Sequence, residues 1–382
     1  MDETTNETAA PAPGTRWGSA IAREWMLGAA AITCGIFLVY GETLFPDLSD
    51  PASLFALSAW LFAVVLGSAL GVVRHAEHVS ERLGEPYGTL VLTLAIAAIE
   101  VMSITAVMMH GDNNPTLVRD TLFSVTMIFM AGMVGISLLL GAIRHREQSF
   151  SLQGANAYLG LIVPLAVFSL VLPDFTRSTS GPTLTPAQQL MVGAMAAGLY
   201  IVFLFIQTGR HRDYFAQPEP DGDGHGAEGH VSPPLLPHVI LLLAYVVPVV
   251  FLVEQLARPI DYVIETAGAP HIIGGVIVAI LVTTPEAIGG VKAALRNRLQ
   301  ISVNVFLGSV LATIGLTVPI MLVVSNLIGL DLVLGLQSTE MVMLLLVLAV
   351  NVITFSSGRT NLLQGAVHLL LFLAFLFLLF QN

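Results

Sequence analysis

Apolar residues run through this chain in long blocks with short polar breaks, and neither the two-residue alternation of strands nor a single apolar helix stripe organises them. A helix needs about 20 apolar residues to cross the hydrocarbon of a bilayer. Eleven blocks approach or meet that length, at 25–42, 54–73, 88–110, 118–141, 156–172, 189–207, 237–255, 270–291, 301–325, 340–356 and 361–380. The pattern predicts an all-α integral membrane protein.

Basic residues favour the cytoplasmic side of a membrane protein, so the polar breaks report orientation. With the N-terminus inside, Arg16, Arg23, Arg74, Arg82, Arg144, Arg146, Arg210, Arg212, Lys292, Arg296, Arg298 and Arg359 face the cytoplasm, and only Arg119, Arg177 and Arg258 lie outside. Eleven spans then carry the C-terminus to the external, periplasmic side. Residues 208–236 form the one long break, rich in Gly, Pro, Asp, Glu and His, and read as a flexible acidic and histidine cytoplasmic linker.

The linker divides the chain into comparable parts: an extra first span at 25–42, then spans within 54–207 and within 237–380. Gly88 to Glu100 reads GTLVLTLAIAAIE and Gly274 to Glu286 reads GGVIVAILVTTPE, each with a glycine twelve residues before a glutamate. An odd number of spans per half reverses the second copy across the membrane. Five spans per half would therefore set equivalent elements pointing oppositely across the membrane, as in many secondary transporters.

Composition narrows the function. Hydrophobic residues make up 55% and charged residues 11% of the 382, against about 25% charged in soluble domains. The net charge of −11 repels phosphate backbones and argues against a nucleic-acid partner. Cys34 is the sole cysteine, so a bound metal would need oxygen or imidazole ligands. Residues 1–24 lack the basic flank and apolar core of a secretory signal and read as a disordered cytoplasmic tail. The partners this leaves are inorganic cations, protons and the lipid bilayer, and no cofactor is expected.

Glu100 and Glu286 are the chemical focus, because an ionised carboxylate deep in a bilayer must be paired, hydrated or cation-bound. Pro285 cannot donate to the Leu281 carbonyl and disfavours a continuous helix, which would free an oxygen beside the acid. Ser103, three residues beyond Glu100, and Thr283, three before Glu286, fall on the helical faces of the acids. Asn304, Ser309 and Thr313 in the ninth span and Thr126 in the fourth either face a cavity or pack helices. Two carboxylates with hydroxyls, carbonyls and water suit Ca²⁺, which takes 6 to 8 oxygens. Carboxyls sharing such a site hold protons when it is empty and release them to an arriving cation. Glu254, Gln255 and Glu340 read as interfacial, and His368 as a packing histidine. Arg119 with Asp120 reads equally as an ion gate or a helix start.

Several strings resemble the bacterial ChaA-type calcium/proton antiporters of the calcium/cation antiporter superfamily. They are Val73-Arg74-His75-Ala76, Arg82 to Gly88 (RLGEPYG), Arg119-Asp120-Thr121-Leu122, Gly308 to Ile314 (GSVLATI) and Gly358-Arg359-Thr360-Asn361. The resemblance covers 73–380 and implies a pair of inverted five-helix repeats after one extra N-terminal helix, with one essential acid per repeat, matched by motif to Glu100 and Glu286. The wider superfamily often has Gly-Asn-Ala before its acid, where this chain has Ala97-Ala98-Ile99 and Thr283-Thr284-Pro285. Sodium and potassium exchange are also associated with the family. The sequence thus leads to an inner-membrane antiporter that moves cytoplasmic Ca²⁺, with Na⁺ or K⁺ as further cargo, against external protons. A membrane-embedded enzyme using the same acids is the alternative, and a channel is a third. The sequence contains no His-Glu-x-x-His, Gly-x-Ser-x-Gly or nucleotide-binding Gly-x-x-x-x-Gly-Lys-Ser/Thr run.

Overall fold

A backbone surrounded by lipid has to satisfy its polar groups within itself, and a helix does so along its whole length. The computed structural model describes residues 24–45, 48–84, 87–110, 114–179, 181–216 and 235–381. Among them run eleven helices: α1 Trp25–Leu44, α2 Pro51–Leu83, α3 Tyr87–Met108, α4 Leu117–His145, α5 Leu152–Phe175, α6 Pro186–Thr208, α7 Leu235–Thr266, α8 Ile272–Leu295, α9 Leu299–Ile328, α10 Ser338–Thr354 and α11 Leu362–Leu378. Eight of these described helices, α2 to α9, are long and apolar enough to cross a membrane, and α1, α10 and α11 are shorter apolar ones. Each expected span falls on one of the eleven.

Polar residues at the helix starts supply what the helices cannot. Asp50 accepts from the Ser53 amide ahead of Pro51, Thr185 and Gln188 form a reciprocal cap ahead of Pro186, and Asn361 and Gln364 do the same for α11. Glu340, read as an interfacial residue near a span end, lies in the first turn of α10, where it is buried against protein and closes a similar box with Gln337. Gln255 is buried as well, while Glu254 is exposed as expected.

Four helices contain a wider turn, at Ile128–Met133 in α4, Val167–Val171 in α5, Tyr262–Thr266 in α7 and Thr313–Thr317 in α9. Such turns leave carbonyls without their regular helical donor. In α4 the Met130 carbonyl receives Asn351 Nδ2 at 2.9 Å and His368 Nδ1 at 2.8 Å. The His368 Nε2 then accepts from Thr354 Oγ1 at 3.0 Å. His368 is the packing histidine its sequence position suggested.

α4 is buried along most of its length, whereas α6 and α7 turn much of their surface outward. α3, α4, α8 and α9 pack together at the centre, and α2 and α7 lie side by side along one flank with α1 against them. Connections gather at two ends. At one, Gln148 donates to the Ala294 carbonyl, the Ser151 amide to Gln300, and a two-stranded pairing of Gln148–Ser149 with Arg359–Thr360 ties two turns together. We call this the linker end, because α6 and α7 are joined there. At the opposite end, Arg119 forms a buried pair with Asp120 at 2.8 Å and donates to the Gly335 carbonyl at 3.0 Å, while the Val333 amide reaches the Pro115 carbonyl.

Two boundaries differ from expectation. Glu24, assigned to a disordered tail, accepts hydrogen bonds from Arg74 and Tyr245 and so pins the start of α1 to α2 and α7. The flexible linker does not begin at 208 either: Phe215 is buried against Tyr158 and Phe203, and its carbonyl receives Asn304 Nδ2. The tail residues 1–23 and linker residues 217–234 lie outside the described residues.

The α8–α4 crossing depends on a missing side chain. A Cβ at Gly275 would lie 2.6 Å from the Asp120 carbonyl carbon, whereas one at Gly160 would meet nothing within 4 Å. Gly275→Ala should cost about 1–3 kcal/mol through overpacking and lower the thermal midpoint in detergent. Gly160→Ala should leave it unchanged or raise it, as read by fluorescence-detected size exclusion after heating.

Candidate cation site

α3 leaves the linker end and α8 returns to it, and each brings a glutamate to the middle of the bundle. Glu100 and Glu286 line one cavity of about 300 Å³. Glu100 sits at its deep end, 1% exposed, with Oε2 accepting from Thr317 Oγ1 at 2.9 Å and Thr313 Oγ1 at 3.1 Å. Its Oε1 is buried and has no hydrogen-bond partner among the described residues. Glu286 is partly exposed to the cavity, and its Oε2 accepts from Ser309. The two acids therefore share a helix: Ser309, Thr313 and Thr317 project from α9 at four-residue steps, and the wider turn of α9 begins at Thr313.

The cavity extends toward the linker end. Glu77 on α2, Gln207 on α6 and Asn304 on α9 line it there, each in the part of its helix nearest that end. Tyr158, Tyr200 and Phe129 complete the walls, and Tyr200 is hydrogen-bonded to Thr93. Past Glu100 in the other direction, Ile104, Met108, Leu122 and Met321 are buried, and beyond them the Arg119–Asp120 pair closes the opposite end.

The supporting residues read from sequence divide. Thr283 and Ser309 line the cavity with the acids. Asn304 also borders it, with its amide donating to the Phe215 carbonyl at 2.6 Å and its oxygen accepting from Gln300 at 2.8 Å, so it shapes the mouth and keeps one lone pair of that oxygen for a ligand. Ser103 is buried off the cavity, one turn beyond Glu100. Leu281 is also buried off the cavity, and only its carbonyl has ligand character. The expected break at Pro285 does not occur: α8 is continuous from Ile272 to Leu295, and the proline removes one donor without ending the helix. Thr126 donates to its own helix, to the Leu122 carbonyl at 2.8 Å.

Sequence reasoning missed Thr317, Glu77 and the Tyr200–Thr93 pair. The first was within reach, since Thr317 continues the spacing of Ser309 and Thr313. Glu77 follows the quoted Val73 to Ala76 string directly but looks like an ordinary helix-end acid. Nothing in the local sequence links Tyr200 to Thr93, because their contact arises from tertiary packing alone.

The chain is thus a multi-pass helical membrane protein with two acids in one central cavity, and similarity to known proteins gives its class. The chain belongs to the sodium/calcium exchanger protein family, whose description matches residues 53–209 and 237–381. Within that family it is of the ChaA type. It is 40% identical over 319 residues to the sodium-potassium/proton antiporter ChaA of Escherichia coli, covering 83% of this chain and 86% of that one. Among solved structures, YfkE shares the fold with a TM-score of 0.73 at 18% identity, over 94% of this chain and 100% of that one. The H⁺/Ca²⁺ exchanger CAX follows at 0.64 and 14%, over 93% and 88%. These relatives are transporters, not enzymes.

Hydrogen bonds to a charged acceptor contribute about 1.5–3 kcal/mol each. Replacing both donors to Glu100, as Thr313→Val with Thr317→Val, should lower cation/proton exchange at least about tenfold in everted vesicles. Ser124→Ala removes a hydroxyl that serves only the Asp120 carbonyl and should leave exchange near the wild-type rate.

Proposed function

We propose that this protein exchanges cytoplasmic Ca²⁺, with Na⁺ or K⁺ as further cargo, for external protons across a bacterial inner membrane. In this reading Glu100 and Glu286 are the groups that hold cation and proton in alternation. One observation carries it: two glutamates from helices of opposite direction border a single cavity, and both lean on the hydroxyls of α9. With two carboxylates and the Ser309 and Thr313 hydroxyls lining the cavity, water would supply the remainder of the 6 to 8 oxygens of a Ca²⁺ shell. Monovalent cations would compete for the same oxygens, in keeping with the sodium and potassium named for the Escherichia coli relative.

The chain is then one N-terminal helix, α1, followed by inverted halves α2–α6 and α7–α11. The basic residues, twelve of fifteen on one side under this topology, make the linker end cytoplasmic. The cavity accordingly faces the cytoplasm, and the Arg119–Asp120 end is external. Cation and protons compete for the same oxygens, so a loaded site of either kind can turn outward while an empty one leaves two uncompensated charges in a low-dielectric core. That exclusion couples outward cation movement to inward proton movement without covalent chemistry.

In everted vesicles with an imposed pH gradient, added Ca²⁺ should dissipate the gradient, and Glu286→Gln and Glu100→Gln should each abolish that response. Acidifying the cation-loading side should raise the half-saturating Ca²⁺ in proportion to proton concentration. Full exchange by either variant, or a half-saturation indifferent to protons, would refute the assignment.

A further inference from the structure

The halves share more than the approach to their acids. Arg74, Glu77, Val79, Glu81, Gly84 and Pro86 recur as Arg258, Asp261, Val263, Glu265, Gly268 and Pro270, each 184 residues later. The register between acid and turn is the same: Gly84 lies seven residues beyond Glu77 and Gly268 seven residues beyond Asp261. The turns that follow match too, since Gly84 and Gly268 take φ of 66° and 73°, a left-handed conformation that favours glycine. Shared register and shared turn geometry make Asp261 the structural counterpart of Glu77.

Their surroundings differ in the way inverted halves require. Glu77 borders the cavity of the paired acids, and its charge acts on Glu286. α2, which carries Glu77, packs along α8 with Glu286, and α7, which carries Asp261, packs along α3 with Glu100. The relation is reciprocal. Asp261, however, does not border that cavity, and its Oδ2 is buried without a hydrogen-bond partner among the described residues. A buried polar oxygen left unpaired costs stability in this state, a cost that a second state bringing water or a cation to Asp261 would remove. When the halves trade conformations, the environment of each passes to its counterpart.

We propose that Asp261 is the outer-mouth counterpart of Glu77, the acid past which cations and protons travel between the paired glutamates and the external medium when the transporter faces outward. The proposal rests on the exchange reading and its inverted halves. A carboxylate at a mouth concentrates cations there without holding them. Asp261 thus serves the external step alone, as Glu77 serves the cytoplasmic one.

Right-side-out and everted vesicles containing the full-length protein allow Ca²⁺ to be added to one face at a time, with the proton gradient set to drive uptake in each. Asp261→Asn should raise half-saturating Ca²⁺ at the external face about sevenfold, the effect of one charge on a divalent ion roughly 7 Å away in watery surroundings. Its cytoplasmic half-saturation should stay within experimental error of wild type. Glu77→Gln should show the reverse, and Asp261→Glu should restore the external value. An unchanged external half-saturation in Asp261→Asn, or an equal rise at both faces, overturns the proposal. If Asp261→Asn does not fold, Asp261→Cys combined with Cys34→Ala, which removes the sole native cysteine, is treated with a membrane-impermeant thiol reagent. Labelling from outside under an outward-favouring ion gradient supports the role, and labelling from the cytoplasmic face alone, or none, overturns it. Wild-type exchange and its loss in Glu100→Gln are measured in the same vesicles. Their failure counts against the exchange reading, while normal exchange with an unresponsive external face sinks only the assignment of Asp261.

Discussion

A carboxylate surrounded by hydrocarbon is the constraint on which this structure turns. Placing one acid at the middle of a membrane helix costs about 3 kcal/mol by insertion scales and more without water or a partner. This chain places two there, on different helices. The central packing follows: α3 and α8 must meet, a third helix must offer donors to both, and a wetted path must reach them. Without the hydroxyls of α9 and the cavity beside them, Glu100 and Glu286 would oppose the fold they occupy.

The framework around that centre was legible from sequence because lipid leaves the backbone few choices. Blocks of apolar residues became helices nearly one for one, and caps such as Asp50 and Asn361 lie where polar residues interrupt the blocks. The paired glutamates stood out for the same reason, since each is an acid within an apolar run. What escaped had no such contrast. Thr317 is unexceptional in a membrane helix, and the hydrogen bonds that hold Asn304 to Phe215 and Gln300 at the mouth arise from tertiary packing that spacing does not reveal. The supposed break at Pro285 failed because a proline takes away only one helical donor, and the neighbours hold α8 in line.

Polar residues away from the centre repair what the helices leave open. The wider turn in α4 releases the Met130 carbonyl, and Asn351 and His368 close over it from α10 and α11. Glu24 joins α1 to the flank formed by α2 and α7 through Arg74 and Tyr245. These contacts explain buried polar side chains that a functional reading of composition would assign to the transport path.

The hydroxyl ladder has a thermodynamic corollary. In the proposed inverted halves α9 is the counterpart of α4: Ser309 and Thr313 of α9 donate to the paired acids, whereas Val125 and Phe129 of α4 border the same cavity without side-chain donors. Perfect twins would rest equally in either orientation. In the inward-open arrangement only α9 turns its hydroxyls to the acids, so under the proposed exchange the two orientations would differ in free energy and their resting ratio would be set by a few side chains of that helix.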